Sequence, residues 1–139
     1  MVASEGRKID HKVRVRAMEL ARPNNASIFV MSIARVWGTG LGFPNPGLLP
    51  SKREWDEQRV IVREAVATFE KAGFEAAGLV LATRRARKRI LGEARARKMD
   101  VIVMGADSHR RMLGDFLWSQ EAHRVARRSR RIPVVLVPL

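Results

Sequence analysis

Asp100-Val101-Ile102-Val103-Met104-Gly105-Ala106-Asp107-Ser108 is followed by Phe116-Leu117-Trp118-Ser119-Gln120-Glu121 and by Ile132-Pro133-Val134-Val135-Leu136-Val137, and these stretches decide the fold. They read as a buried strand, a turn opening on glycine, a helix starting near a hydroxyl, and a second buried strand. A short apolar run bounded by turn residues suits a strand covered on both faces, as in a parallel sheet. In that layout the backbone N–H groups of the turn and of the helix start point outward, and they suit an anion. The pattern therefore builds a phosphate site at the carboxyl edge of the sheet.

The same alternation extends toward the N-terminus. Val2 to Ser4 reads as the end of a strand that starts late, so the first strand is expected to be short. Ile9, Val13, Ala17 and Leu20 recur at helical spacing over 8–21, and Arg22-Pro23-Asn24-Asn25 stops that helix. Ser27 to Val36 is a buried strand. Residues 37–50 form an uncharged loop rich in glycine and proline, read as a flap near the crevice. Ser51 with Glu54 makes a capping box for a helix that runs to about Ala72 and ends at Gly73. Its apolar stripe is Trp55, Val62, Val66 and Phe69. Phe74 to Thr83 is a strand. Residues 84–98 are a helix with Ile90, Leu91 and Ala94 inward and arginines outward. Val101 to Met104 is the fourth strand, 116–129 a helix, and Ile132 to Val137 the fifth strand. Strands alternating with helices predict an α/β fold: an open doubly wound five-stranded parallel sheet, order 3-2-1-4-5, helices on both faces. Its ligand crevice lies at the carboxyl ends of the strands, where the winding reverses.

A chain of 139 residues is one domain, 1–139, with enough length to bury a core. There is no cysteine, so no disulfide framework and no thiolate chemistry, which fits a cytoplasmic setting. No apolar run reaches the roughly 18 residues that a membrane span needs. The first eight residues lack the apolar core of a signal peptide. The outlier is a net charge of +13. Arginine and lysine cluster at Arg84, Arg85, Arg87, Lys88 and Arg89, at Arg95, Arg97 and Lys98, and at Arg124, Arg127, Arg128, Arg130 and Arg131. Such a field attracts polyanions without choosing among them. The arginines are spread over two helices and interleaved with alanine rather than with stacking aromatics. The expectation is weak, nonspecific polyanion binding that fades by physiological salt. A merely solvated basic face is the plainer alternative.

At these residues the chain resembles the universal stress protein family over almost its whole length. Nucleotide-binding members carry glycine, two residues, glycine, nine residues, glycine, then serine or threonine after the fourth strand. Here Gly105 fills the first place, Ser108 stands at the second, Trp118 at the third, and Ser119 keeps the hydroxyl. Glu5-Gly6 resembles the family's aspartate-glycine pair, with Arg7 where a serine is common. The resemblance implies a site for ATP or another adenine nucleotide, with magnesium accompanying it. It would be formed by Ala3, Ser4, Glu5 and Ile33 near the ends of the first two strands. Gly105, Asp107, Ser108, Trp118, Ser119 and Gln120 would complete it. It also implies a homodimer through residues 132–139, where Val134 to Val137 offer an apolar edge.

The departures from the motif have physical consequences. Glycine at a phosphate turn allows positive φ and close backbone approach, which Ser108 reaches only at a cost. The Trp118 indole takes up volume that a phosphate tail would occupy, or else packs into a core or interface. Ser119 is a helix N-cap or a phosphate ligand. Glu5 bonds a ribose hydroxyl or is a solvated turn residue. Asp107 closes an Asx turn or meets phosphate through a cation. His11, His109 and His123 lack ligand spacing for a metal. No nucleophile–base pair and no paired carboxylates emerge, so the chain is not expected to be an enzyme, and no residue calls for ATP hydrolysis, although a slow reaction stays open. The first reading is a cytoplasmic regulatory module that binds an adenine nucleotide weakly. The alternatives are a stress-linked interaction protein with an unidentified protein partner and no nucleotide, and a nonspecific nucleic-acid or polyanion binder. If the two side chains block the site, Trp118→Gly combined with Ser108→Gly strengthens ATP binding measured by calorimetry. Unchanged or weaker binding in the folded double variant argues against blockage.

Overall fold

The computed structural model of the chain describes residues 1–35, 50–106 and 120–139. The elements are β1 (Val2–Ser4), α1 (His11–Ala21), a 3-10 turn (Arg22–Asn24), β2 (Ile28–Arg35) and α2 (Lys52–Lys71). They continue with β3 (Ala76–Thr83), α3 (Ala86–Ala96), β4 (Ile102–Ala106), α4 (Gln120–Arg128) and β5 (Val134–Pro138). The sheet has the order β3-β2-β1-β4-β5, and every pairing is parallel. Fold class and strand order are as the alternating pattern predicts. The loop expected over 37–50 lies almost wholly outside the described residues, as does the start of the helix expected from 116.

Each face of the sheet is sealed by its own helix pair. On one side Val13, Ala17 and Ala21 of α1 and Val62, Ala65 and Phe69 of α2 cover Val2, Ile28, Val30 and Val103. On the other, Ile90, Leu91 and Ala94 of α3 and Ala122 and Val125 of α4 cover Ala3, Met31, Ile33, Ile102 and Met104. The period-two alternation of each strand divides its side chains between these two cores.

Element ends shift from the sequence pattern for local reasons. α2 stops in a Schellman turn: Gly73 takes φ +87, its N–H donates to the Glu70 carbonyl, and the Phe74 N–H donates to the Phe69 carbonyl (3.0 Å). Phe74 therefore closes the helix, and β3 begins at Ala76. α3 ends in the same way with Lys98 at φ +51, while Met99 N–H donates to the Ala94 carbonyl (2.8 Å). At its start the Thr83 hydroxyl accepts from Arg85 N–H (3.0 Å) and holds the chain out of the helix. β4 runs two residues past Met104, because β5 offers partners as far as Gly105↔Val137 and Ala106↔Pro138. The Asp10 carboxylate caps α1 by accepting from Lys12 N–H (2.8 Å), and Ser51 caps α2 by accepting from Glu54 N–H.

Gly78 in β3 marks the tightest helix–sheet approach. A Cβ there would collide with Val62 Cγ1 and stand 3.0 Å from Val66 Cγ2. Both neighbours are β-branched and stiff. Gly78→Ala is expected to destabilise the fold by about 1–3 kcal/mol, the usual cost of overpacking. Adding Val62→Ala should restore part of the loss in thermal unfolding, and a failure of that rescue would place the strain elsewhere.

Candidate functional site

β1 is the central strand, and the chain leaves its two sides in opposite directions. β2 and β3 follow on one side, β4 and β5 on the other. The crevice of such a sheet opens between β1 and β4, at the carboxyl ends. There a cleft is lined by Ala3, Ser4, Glu5, Lys8, Met104 and Gly105, with Leu139 at its rim. Its empty volume is about 470 Å³ counted out to the open mouth.

The turn after β1 is held from three directions. Gly6 takes φ +91, a conformation open chiefly to glycine. The Ser4 hydroxyl donates to the Arg7 carbonyl (2.5 Å) and accepts from the Arg7 N–H (3.1 Å), closing a small ring. Gln58 reaches in from α2. Its Nε2 donates to the Gly6 carbonyl (3.1 Å), and its Oε1 accepts from the Ser32 hydroxyl on β2 (2.6 Å). Ser32 and Gln58 are both buried, so these bonds replace water that cannot reach them. Glu5 is held on this locked turn at 6% exposure. The solvated alternative for Glu5 is thereby removed.

The structure brings Ala3, Ser4, Glu5 and Gly105 together around the cleft. Ile33 lies fully enclosed in the α3–α4 core. Gln120 opens α4. Asp107, Ser108, Trp118 and Ser119 lie outside the described residues, as does His109. Gly105 does not open a turn; it is still paired within β4. A Cβ on it would meet the Leu139 side chain at 3.0–3.3 Å. Leu139 is positioned by its N–H, which donates to the Ala106 carbonyl (3.0 Å). Among the described residues no group of three or more histidine, aspartate or glutamate side chains could hold a metal ion.

Sequence reasoning missed Gln58 and Leu139. Gln58 carried a signal: it falls between Trp55 and Val62 on the apolar stripe of α2, where a polar residue needs a buried partner. Leu139 carried none, because its contact with Gly105 depends on how far the β4–β5 ladder extends.

The universal stress protein family profile matches residues 1–138. The chain belongs to the universal stress protein family. Solved structures similar to it include a universal stress protein family member from Burkholderia pseudomallei, 21% identical, covering 99% of this chain and 96% of that one, with TM-score 0.70. A universal stress protein from Archaeoglobus fulgidus in complex with dAMP is 18% identical over 97% of this chain and 94% of its own, TM-score 0.67. A universal stress protein in complex with cAMP is 18% identical over 99% and 96%, TM-score 0.66. At such identities the likeness shows the fold. Among curated proteins none matches.

Gln58 ties three elements to the floor of the cleft. Gln58→Ala leaves the buried Ser32 hydroxyl and the Gly6 carbonyl without their partner, and roughly 1–3 kcal/mol is lost for each such group. The expected result is a folded protein of lower melting temperature, with faster amide exchange concentrated at residues 5–7. Uniform exchange across the chain would mean that the bridge does not anchor the turn.

Proposed function

We propose that this universal stress protein is a regulatory module that binds an adenine nucleotide, ATP included, at the cleft between β1 and β4. The observation that carries the reading is Glu5, a buried carboxylate held at the switch point of a doubly wound sheet. An acidic residue in this region of such folds accepts hydrogen bonds from ribose hydroxyls. The small, flat surface of Gly105 faces the same space. That similarly folded proteins are bound to dAMP and cAMP supports an adenine nucleotide as the ligand class. Magnesium enters with the nucleotide, on its phosphates. The chain acts as a binding module in the cytoplasm and not as an enzyme. A second copy covers the outer edge of β5 through residues 132–139.

Binding is weak on this reading. The cleft walls leave little room, and the Leu139 side chain must swing off Gly105 to admit a nucleoside. Titration calorimetry with ATP and AMP tests the proposal. A hydrogen bond to a charged group contributes about 1.5–3 kcal/mol, so Glu5→Ala should weaken ATP by roughly 10–100-fold. Leu139→Ala should strengthen it. A 2′,3′-dideoxy nucleotide should bind wild type and Glu5→Ala alike. No adenine nucleotide bound at millimolar concentration would overturn the reading.

A further inference from the structure

The positive charge of this protein belongs to one layer. Between residues 84 and 98 there are eight basic side chains and one acidic, and between 120 and 131 five basic and one acidic. These segments contain α3 and α4, which pack side by side on the same face of the sheet. Thirteen cations against two anions give this layer eleven of the thirteen net positive charges. The two arginine groups, separate along the chain, form a single surface in the fold. Twelve of the thirteen basic residues are exposed; Arg87 is half-buried.

Helix stability does not account for this placement. Arg84, Arg85 and Arg87 gather at the start of α3, whose first turn holds no acidic residue. Cations there oppose the positive end of the helix dipole. On α4, Arg124 and Arg128 stand four apart as like charges, which is also unfavourable. α2 follows the stable pattern, with Glu54 in its first turn and Lys71 in its last. The one acid on α3, Glu93, is shared between Arg89 (3.3 Å) and Arg97 (3.3 Å). The Arg97 guanidinium lies 4.1 Å from the centre of the buried Phe29 ring. These contacts fix Arg89 and Arg97 in place.

We propose that the α3–α4 face is a docking surface for the phosphate backbone of duplex nucleic acid. Eleven of the thirteen cations are arginine, whose planar fork matches phosphate oxygens. Gly92 and Ala96, exposed among the cations of α3, are small. The arms can therefore approach a smooth cylinder of charge. Single strands are held by bases stacked on exposed aromatics, and neither 84–98 nor 120–131 contains phenylalanine, tryptophan or tyrosine. Lipid surfaces are entered by large apolar side chains alongside the cations. Among the described residues the exposed ones are Val60 and Leu139, neither on this face. Contacts to phosphate position a duplex without reading it, so no sequence preference follows.

Fluorescence anisotropy with a labelled duplex of about 20 base pairs, at salt from about 50 to 200 mM, tests the proposal. Neutralising about six phosphates gives a slope of log affinity on log salt near −5. Replacing Lys88, Arg95, Arg127 and Arg128 with glutamine should shrink that slope by about 1 per charge removed. The triple variant Arg95→Lys, Arg127→Lys, Arg128→Lys should keep it. Glutamine at Lys12, Arg16, Arg59 and Arg63, on the α1–α2 layer, removes the same charge and should leave binding within about twofold, since these positions lie off the face. Equal loss from both glutamine variants would show that only net charge matters, and would overturn the proposal. So would a single strand of the same sequence bound as tightly as the duplex, or binding to anionic phospholipid vesicles without binding to duplex. None of these outcomes touches the nucleotide cleft, so the two readings fail separately.

Discussion

Both halves of the sheet are joined through β1, which has three residues. Val2, Ala3 and Ser4 pair with Val30, Met31 and Ser32 of β2, and Val2 pairs with Val103 of β4. The Met1 carbonyl extends the second ladder by accepting from Val103 N–H (2.8 Å). So short a ladder contributes few main-chain bonds, and the centre of the fold relies on burial. Val2 and Ala3 are almost wholly enclosed, one in each core. The turn that follows has no long strand to steady it. Side chains supply that rigidity: the Ser4–Arg7 ring and the Gln58 bridge to Gly6 and Ser32. A cleft built on this strand is as rigid as those bonds.

The sheet and its order were legible because continuous apolar strands and 3.6-period helices leave few alternatives. Met104 and Val103 point to opposite cores yet are both buried, which is why their run shows no alternation. Helix stops were legible at Gly73, where glycine announces positive φ. At Lys98 a lysine adopts the same conformation, and nothing in its type says so. β4 was read short for a different reason. Its last two residues, Gly105 and Ala106, have weak strand preference, and tertiary pairing with β5 decides them.

Of the candidate site, the Glu5-Gly6 turn and Gly105 could be found from residue types alone, and the structure joins them at one cleft. Burial of Glu5 could not be read from sequence. The turn that carries it is anchored by Gln58, whose Nε2 donates to the Gly6 carbonyl. The basic surface is a clearer case of information held only in three dimensions. On the sequence, two arginine groups separated by β4 look dispersed. Right-handed crossovers set α3 and α4 on the same side of the sheet, so their charges add.

That addition has a consequence for stability. The α1–α2 layer balances its charges locally through exposed pairs such as Arg16–Glu19, Arg53–Glu57 and Arg59–Asp56. The α3–α4 layer sets thirteen cations against two acids, one of which, Glu93, pairs with both Arg89 and Arg97. Like charges on one face destabilise the compact state, because unfolding lets them separate. Any polyanion that bridges both helices relieves that repulsion in the native state alone, and so stabilises the fold by mass action. The same arrangement that weakens the free protein would therefore favour a form bound to such a polyanion, through a surface that meets the β1–β4 cleft at Ala122 of α4.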